Sequence, residues 1–179
     1  MGDETTDAAD WKALHHRLRS IAKRRVALEA EEATWLIEAE ETRLYRRLGY
    51  TTMVEYMERE LFWGPHAASE RLRVARELRE LPLIAELFAG GELCFSAVRE
   101  LTRVATPATE EAFLRNAQGK TAHQIQQQVT GLPRGARPDD RPNPQLIKKR
   151  DDRDVGRDLR DVAEHADGAR RRVGGETVG

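Results

Sequence analysis

The sequence predicts an all-α protein, on three observations. Residues 8–48 contain neither glycine nor proline, while apolar residues recur every three or four positions, the period of one helix face. Beyond them, glycines, prolines and capping residues punctuate the chain at intervals that suit short helices. No segment alternates apolar and polar residues between turn sequences, as a half-buried strand does. The expected architecture is a long N-terminal helix, a compact multi-helix domain with a helix-turn-helix-like pair, and a disordered C-terminal tail.

The long helix, over residues 8–48, carries Trp11, Leu14, Leu18 and Ile21 in steps of three and four, and Leu28, Leu36, Leu44 and Leu48 continue the stripe with slippage. Arg25 and Glu32 fall on seam positions of a strict heptad, which argues against a sustained coiled coil. The basic residues His15, His16, Arg17, Arg19, Lys23, Arg24 and Arg25 are followed at once by Glu29, Glu31, Glu32, Glu38, Glu40 and Glu41. That sequence of charges reads as a solvated helix face.

Gly49 ends this helix, and Thr52 with Glu55 forms a capping box for a second that runs to about Leu61. Gly64-Pro65 starts a third, expected to reach about Leu81, since proline suits the first helical position. Leu81-Pro82 breaks the chain before a short apolar helix over 83–88, closed by Gly90-Gly91. Ser96 is expected to cap a helix over 97–105, Thr106-Pro107 to open one ending near Ala117, and Thr121 with Gln124 to cap the last, over 122–130. The helical domain therefore spans 8–132, with its compact helices over 52–130. Residues 133–149 follow as a proline-rich, semi-stiff linker, since four of the seven prolines lie between 131 and 144. From residue 150 to 179 the chain is half charged and lacks aromatics, so a disordered or marginally helical tail is expected.

Composition narrows the function. A net charge of −1 leaves no global electrostatic pull toward nucleic acid or membrane, so only a local patch supplies one. Cys94 is the single cysteine, which excludes a disulfide framework or a cysteine zinc site within one chain. Between Leu93 and Phe95 it reads as a buried, inert thiol. Residues 1–7 are acidic and polar with no apolar h-region, so they are expected to be disordered, and the protein to be cytoplasmic with no membrane partner.

Projected at 100° per residue, the third helix gathers Ala68, Leu72, Ala75 and Leu78 on one side, and His66, Ser69, Arg73 and Arg76 on the other. Two helices joined by a short glycine-containing turn, with arginines on the second, form a helix-turn-helix arrangement. Arginine forks onto guanine or lies along phosphate, and His66 or Ser69 near the helix start would meet base edges. Arg99 and Arg103, four apart, extend this basic surface if their helix lies alongside. The plainer reading is a helical hairpin whose arginines pair with Glu70, Glu77 and Glu80.

Catalytic chemistry is not legible. Gly90-Gly91 lacks the lysine and serine of a phosphate loop, and the five histidines are scattered. Glu110-Glu111 and Asp151-Asp152 are adjacent pairs, which on a helix diverge by about 100° and do not converge on a metal. No catalytic residue, metal ligand or cofactor is assigned to this chain.

The blocks Leu48-Gly-Tyr-Thr-Thr-Met-Val-Glu-Tyr, Ala68-Ser-Glu-Arg-Leu-Arg-Val-Ala-Arg-Glu-Leu, Leu81-Pro, the run from Gly91 through Ala97-Val-Arg-Glu-Leu-Thr-Arg to Pro107, and Gly119-Lys-Thr-Ala come in a distinctive order. Together, over roughly residues 35–148, they resemble the helical N-terminal domain, of unknown function, that precedes the nuclease module in many bacterial HNH endonuclease proteins. The resemblance implies a protein acting on DNA, with this domain contacting DNA or a partner while a C-terminal metal-dependent module cleaves phosphodiesters. Nothing after Pro144 offers that module's histidines, asparagine or paired cysteines. The resemblance therefore implies a form truncated or frameshifted near 149–151, inactive alone, whose divalent metal belongs to the missing module. Two expectations follow: a domain that positions duplex DNA through His66, Ser69, Arg73, Arg76, Arg99 and Arg103, or an interaction module that dimerises through the long N-terminal helix without touching nucleic acid.

Overall fold

A computed structural model describes residues 4–147, and the described residues are helical with no strand. In chain order the helices are α1 (Glu4–Glu41), α2 (Leu44–Arg47), α3 (Met53–Glu60), α4 (Pro65–Leu78), α5 (Pro82–Ala89), α6 (Phe95–Val104), α7 (Glu110–Ala117) and α8 (Ala122–Val129). The all-α class, the long first helix and the compact set behind it stand as the sequence predicts. Residues 148–149 of the expected linker and the tail over 150–179 lie outside the described residues.

Local chemistry sets most boundaries. The Thr52 hydroxyl accepts from the Glu55 amide at 3.0 Å, and the Glu55 carboxylate reaches back to the Thr51 amide at 2.8 Å. The Thr121 hydroxyl and Gln124 side chain exchange the equivalent bonds at 3.3 and 2.8 Å before α8. Gly64-Pro65 and Leu81-Pro82 start α4 and α5 with proline in the first turn.

Several boundaries differ from expectation. Residues 4–7, expected to be disordered, carry helical backbone, since no glycine or proline stops α1 there. At its other end α1 does not reach residue 48. The Thr42 hydroxyl donates back to the Glu38 carbonyl at 2.8 Å and Arg43 adopts φ 53°, which breaks the helix before the single turn of α2. α4 stops at Leu78 rather than Leu81. Ser96 is not a cap: the Cys94 carbonyl accepts from the Ala97 and Val98 amides, so α6 starts at Phe95 with Ser96 inside its first turn. That position leaves Cys94 exposed, not buried. Residues 107–109 form a turn, and α7 begins only at Glu110.

The chain divides into two units. The helical unit takes residues up to 129 together with 134–139, so that part of the expected linker is not a free spacer. The Gly135 amide donates to the Val104 carbonyl at 2.8 Å, and Arg134 pairs with Glu77 at 2.6 Å. Of the described residues the second unit takes 130–133 and 140–147, where the Asn143 amide donates to the Gly131 carbonyl at 2.7 Å.

The core of the helical unit lies among α3 to α8, around Met57, Leu81, Ile84, Phe88, Val98, Leu101 and Ile125. Its polar members are tied down: the Glu110 carboxylate accepts from the Ile84 amide at 2.7 Å and so closes the start of α5. α1 rests on α4 and α5 and commits only Val26, Ala33 and Leu36 to burial. Gly91 makes that approach close. A Cβ there would lie 3.0 Å from the Lys23 carbonyl oxygen and 3.2 Å from its Cα, at a φ of +69°.

Gly91→Ala therefore combines left-handed strain with a backbone clash. Its expected cost is about 2–3 kcal/mol. Gly119→Ala, with φ +71° and nothing within 4 Å, carries the strain alone and is expected to cost about 1 kcal/mol. Urea unfolding midpoints of the two variants check the order; equal losses would mean that α1 is not held at Gly91.

Candidate functional site

The arginines expected to face DNA face carboxylates instead. Arg73 donates to both oxygens of Glu70 at 3.3 Å, to the Thr102 hydroxyl at 3.3 Å and to the Arg99 carbonyl at 3.1 Å. Arg103 Nη2 meets the same Glu70 at 2.6 Å, and Arg99 lies on the buried Glu100 at 3.0 Å. Arg73, Arg99 and Arg103 are thus brought together, but around Glu70 and Glu100. Arg76 stands apart and forks onto Glu40 of α1, with Nε at 2.9 Å from Oε2 and Nη2 on Oε1. Ser69 Oγ donates to the Pro65 carbonyl at 2.9 Å, and His66 is exposed in the first turn of α4.

These pairings mark the acids electrostatically. The hydrogen bond from Arg76, helped by its charge and opposed by burial, holds Glu40 below the ordinary glutamate range. Burial pushes Glu70 up, but the hydrogen bond and charge of Arg73, then of Arg103, outweigh it and leave Glu70 lowered as well. Glu40 in turn raises Arg76.

The residue that sequence reasoning missed is Arg71. Its side chain is nearly buried, with Nη1 3.0 Å from Glu32 and Nη2 3.1 Å from Glu29. The guanidinium carbon lies 3.7 Å from the Trp63 ring centroid and 4.4 Å from that of Phe95, a cation held between two π faces. Trp63 Nε1 donates to Glu32 at 3.0 Å and closes the group. One signal was present: on the same projection Arg71 falls among Ala68, Leu72 and Ala75, where a charge needs a buried partner.

With Glu29, Glu32, Glu40 and Glu41 paired to Arg71, Arg76 and Arg79, the acids of α1 no longer neutralise its basic half. Lys12, Arg17, Arg19, Lys23, Arg24 and Arg25 are exposed and form no ion pair among the described residues. Arg19, Lys23 and Arg25 line a cleft of about 350 Å³ together with Lys120 and the exposed Cys94. Trp11, Leu14, Leu18, Ile21, Leu28 and Trp35 are each 53–64% exposed. They occupy six consecutive-heptad seam positions, interrupted by Arg25 and Glu32. An apolar groove of about 400 Å³ continues this seam between α1 and the α2–α3 region.

Among the described residues no three His, Cys, Asp or Glu side chains converge as metal ligands, so the residues present do not fit the divalent metal implied by the HNH resemblance. No described helix is long and apolar enough to cross a membrane. The chain matches no protein-family model, no curated protein and no solved structure.

Two outcomes follow from the ion pairs. Arg73→Ala strips a partly buried carboxylate of its main partner and is expected to cost about 1–3 kcal/mol of stability, read by chemical unfolding. Because Glu40 and Glu70 have lowered folded-state pKa values, the stability they contribute is present above the ordinary value of 4.5 and lost as pH falls through their folded values. Glu70→Gln should flatten the acid limb of a stability–pH profile; an unchanged limb would contradict the pairing.

Proposed function

We propose that the chain is a helical interaction module that self-associates through α1. The observation that carries this reading is the exposed seam: six large apolar side chains at heptad positions on one helix, none covered by the other described residues. Monomeric proteins rarely leave large contiguous apolar patches in water; Trp11, Leu14, Leu18 and Ile21 form an unbroken run before Arg25, and a second helix is the surface that a heptad seam fits.

A second reading has its own observation. The cations of α1 that form no ion pair among the described residues, with Arg19 and Lys23 on the side away from the seam and the Lys12 ammonium 5.6 Å from the Trp11 ring centroid, form a basic surface that suits a phosphate backbone. It supports the domain as a DNA-positioning part of a bacterial HNH endonuclease-type protein, with the contact moved from α4 to α1.

Sedimentation velocity tests the first reading. The wild type is expected to dimerise with increasing concentration, and Leu14→Glu with Leu18→Glu to weaken the dimer by roughly a hundredfold while the far-ultraviolet dichroism of the body persists. A chain that stays monomeric at all concentrations overturns it. For the second, anisotropy on duplex DNA should show affinity that falls steeply with salt. Lys12→Ala, Arg19→Ala and Lys23→Ala together should abolish it, and Arg73→Ala with Arg76→Ala should not. The reverse pattern returns the interface to α4, and no binding at low salt removes the DNA reading.

A further inference from the structure

We propose that α1 pairs antiparallel with α1 of a second copy of this chain, in the register that sets Leu18 of one against Trp35 of the other. This rests on the self-association reading and names its geometry.

Direction follows from charge. Residues 10–25 hold six Lys or Arg against the single acid Asp10, whereas residues 26–41 hold six glutamates and no Lys or Arg. A parallel, in-register pair stacks like half on like half. It also places Arg25, which forms no ion pair among the described residues, against Arg25 in the seam, a like-charge contact in a partly dehydrated interface. An antiparallel pair lays the basic half of each helix along the half of the other that carries Glu31 and Glu38, the two acids there that form no ion pair among the described residues, since Arg71, Arg76 and Arg79 hold Glu29, Glu32, Glu40 and Glu41. Arg25 then meets Leu28, over which its methylene stem packs. Glu32 meets Ile21, with its charge already satisfied by Arg71 and Trp63.

Register follows from the edge of the seam. Arg17, Arg24, Glu31 and Glu38 stand seven residues apart on the flank turned away from α4, exposed and without an ion pair among the described residues. In antiparallel helix pairs this flank faces its own counterpart. The proposed register sets Arg17 against Glu38 and Arg24 against Glu31, each twice by symmetry. Sliding the second copy by one heptad sets Asp10 against Glu38 and Arg24 against itself.

The groove agrees with the same register. It is walled by Trp35 and Ala39 on α1, by Thr42 just past its end, and by Leu44, Tyr56 and Leu61 opposite. The pairing brings Leu14 of the second copy over Ala39 and Trp11 over Thr42, large side chains over small ones at the mouth of an apolar recess. An indole anchored in a recess is the kind of contact that dominates helix-in-groove recognition.

The test uses the full-length chain in two charge-reversed forms, Arg17→Glu with Arg24→Glu, and Glu31→Lys with Glu38→Lys. Among the described residues these four side chains form no ion pair or side-chain hydrogen bond, so dichroism and unfolding midpoints should match the wild type. Each form alone is expected to dimerise at least tenfold more weakly than wild type by sedimentation equilibrium at low salt. Their equimolar mixture, in which all four facing pairs are opposite in sign, is expected to recover wild-type affinity. If the wild type dimerises but either form does so equally well, or the mixture fails to recover, the antiparallel register is overturned while self-association stands. A wild type that remains monomeric overturns both.

Discussion

The arrangement of this molecule depends on one buried guanidinium. Arg71 sits where a hydrophobic residue is expected on α4, and removing its charge from water costs several kcal/mol. Two carboxylates one turn apart on α1, Glu29 and Glu32, and two aromatic faces, Trp63 and Phe95, offset that cost. These partners come from α1, the α3–α4 connection and the start of α6, so a single side chain ties three segments. It also fixes the rotation of α1 about its own axis. With positions 29 and 32 turned toward α4, helical geometry turns Leu28 and Trp35 away from it. The exposed seam is thus a consequence of where Arg71 finds its partners.

The same accounting redistributes charge along the chain. A sequence with net charge −1 looks balanced, and the basic run of α1 looks answered by the glutamates that follow it. In the fold four of those glutamates, Glu29, Glu32, Glu40 and Glu41, answer Arg71, Arg76 and Arg79 instead. Arg73 and Arg103 converge on Glu70, and Arg99 on Glu100. The basic half of α1 forms no ion pair among the described residues. Formal balance over the sequence therefore coexists with a helix that is cationic in its first half and largely neutralised in its second.

What was legible in the sequence is what local chemistry decides. Both capping boxes, the proline starts of α4 and α5 and the close of α5 at Gly90-Gly91 were readable because each involves residues within a few positions of one another. The end of α1 at Thr42–Arg43 was less so, since leucines at 44 and 48 continue the stripe past a break made by a hydroxyl. The roles of the arginines were not readable at all. Arg71 finds Glu32 across 39 positions and Arg76 finds Glu40 across 36, and no periodicity encodes such a pairing. Cys94 shows the converse error: apolar neighbours suggested burial, but its position as the residue before α6 turns it outward.

The length of α1 sharpens the reading of its seam. At 38 residues the helix extends roughly 57 Å, and from residue 10 to residue 25 every side chain is exposed. A helix in water is marginal without a packed face, because nucleation is costly and propagation gains little per residue. Ala13 and Ala22 favour helix in this stretch, but His15, His16 and Ser20 do not, and Gly91 supplies one close contact near its end. Covering Trp11, Leu14, Leu18 and Ile21 would add apolar burial at about 25 cal/mol per Å² to a segment that otherwise has almost none. The exposed apolar surface is therefore also the one whose own order a partner would secure, and under the proposed self-association dimer formation and helicity of residues 10–25 would be a single equilibrium.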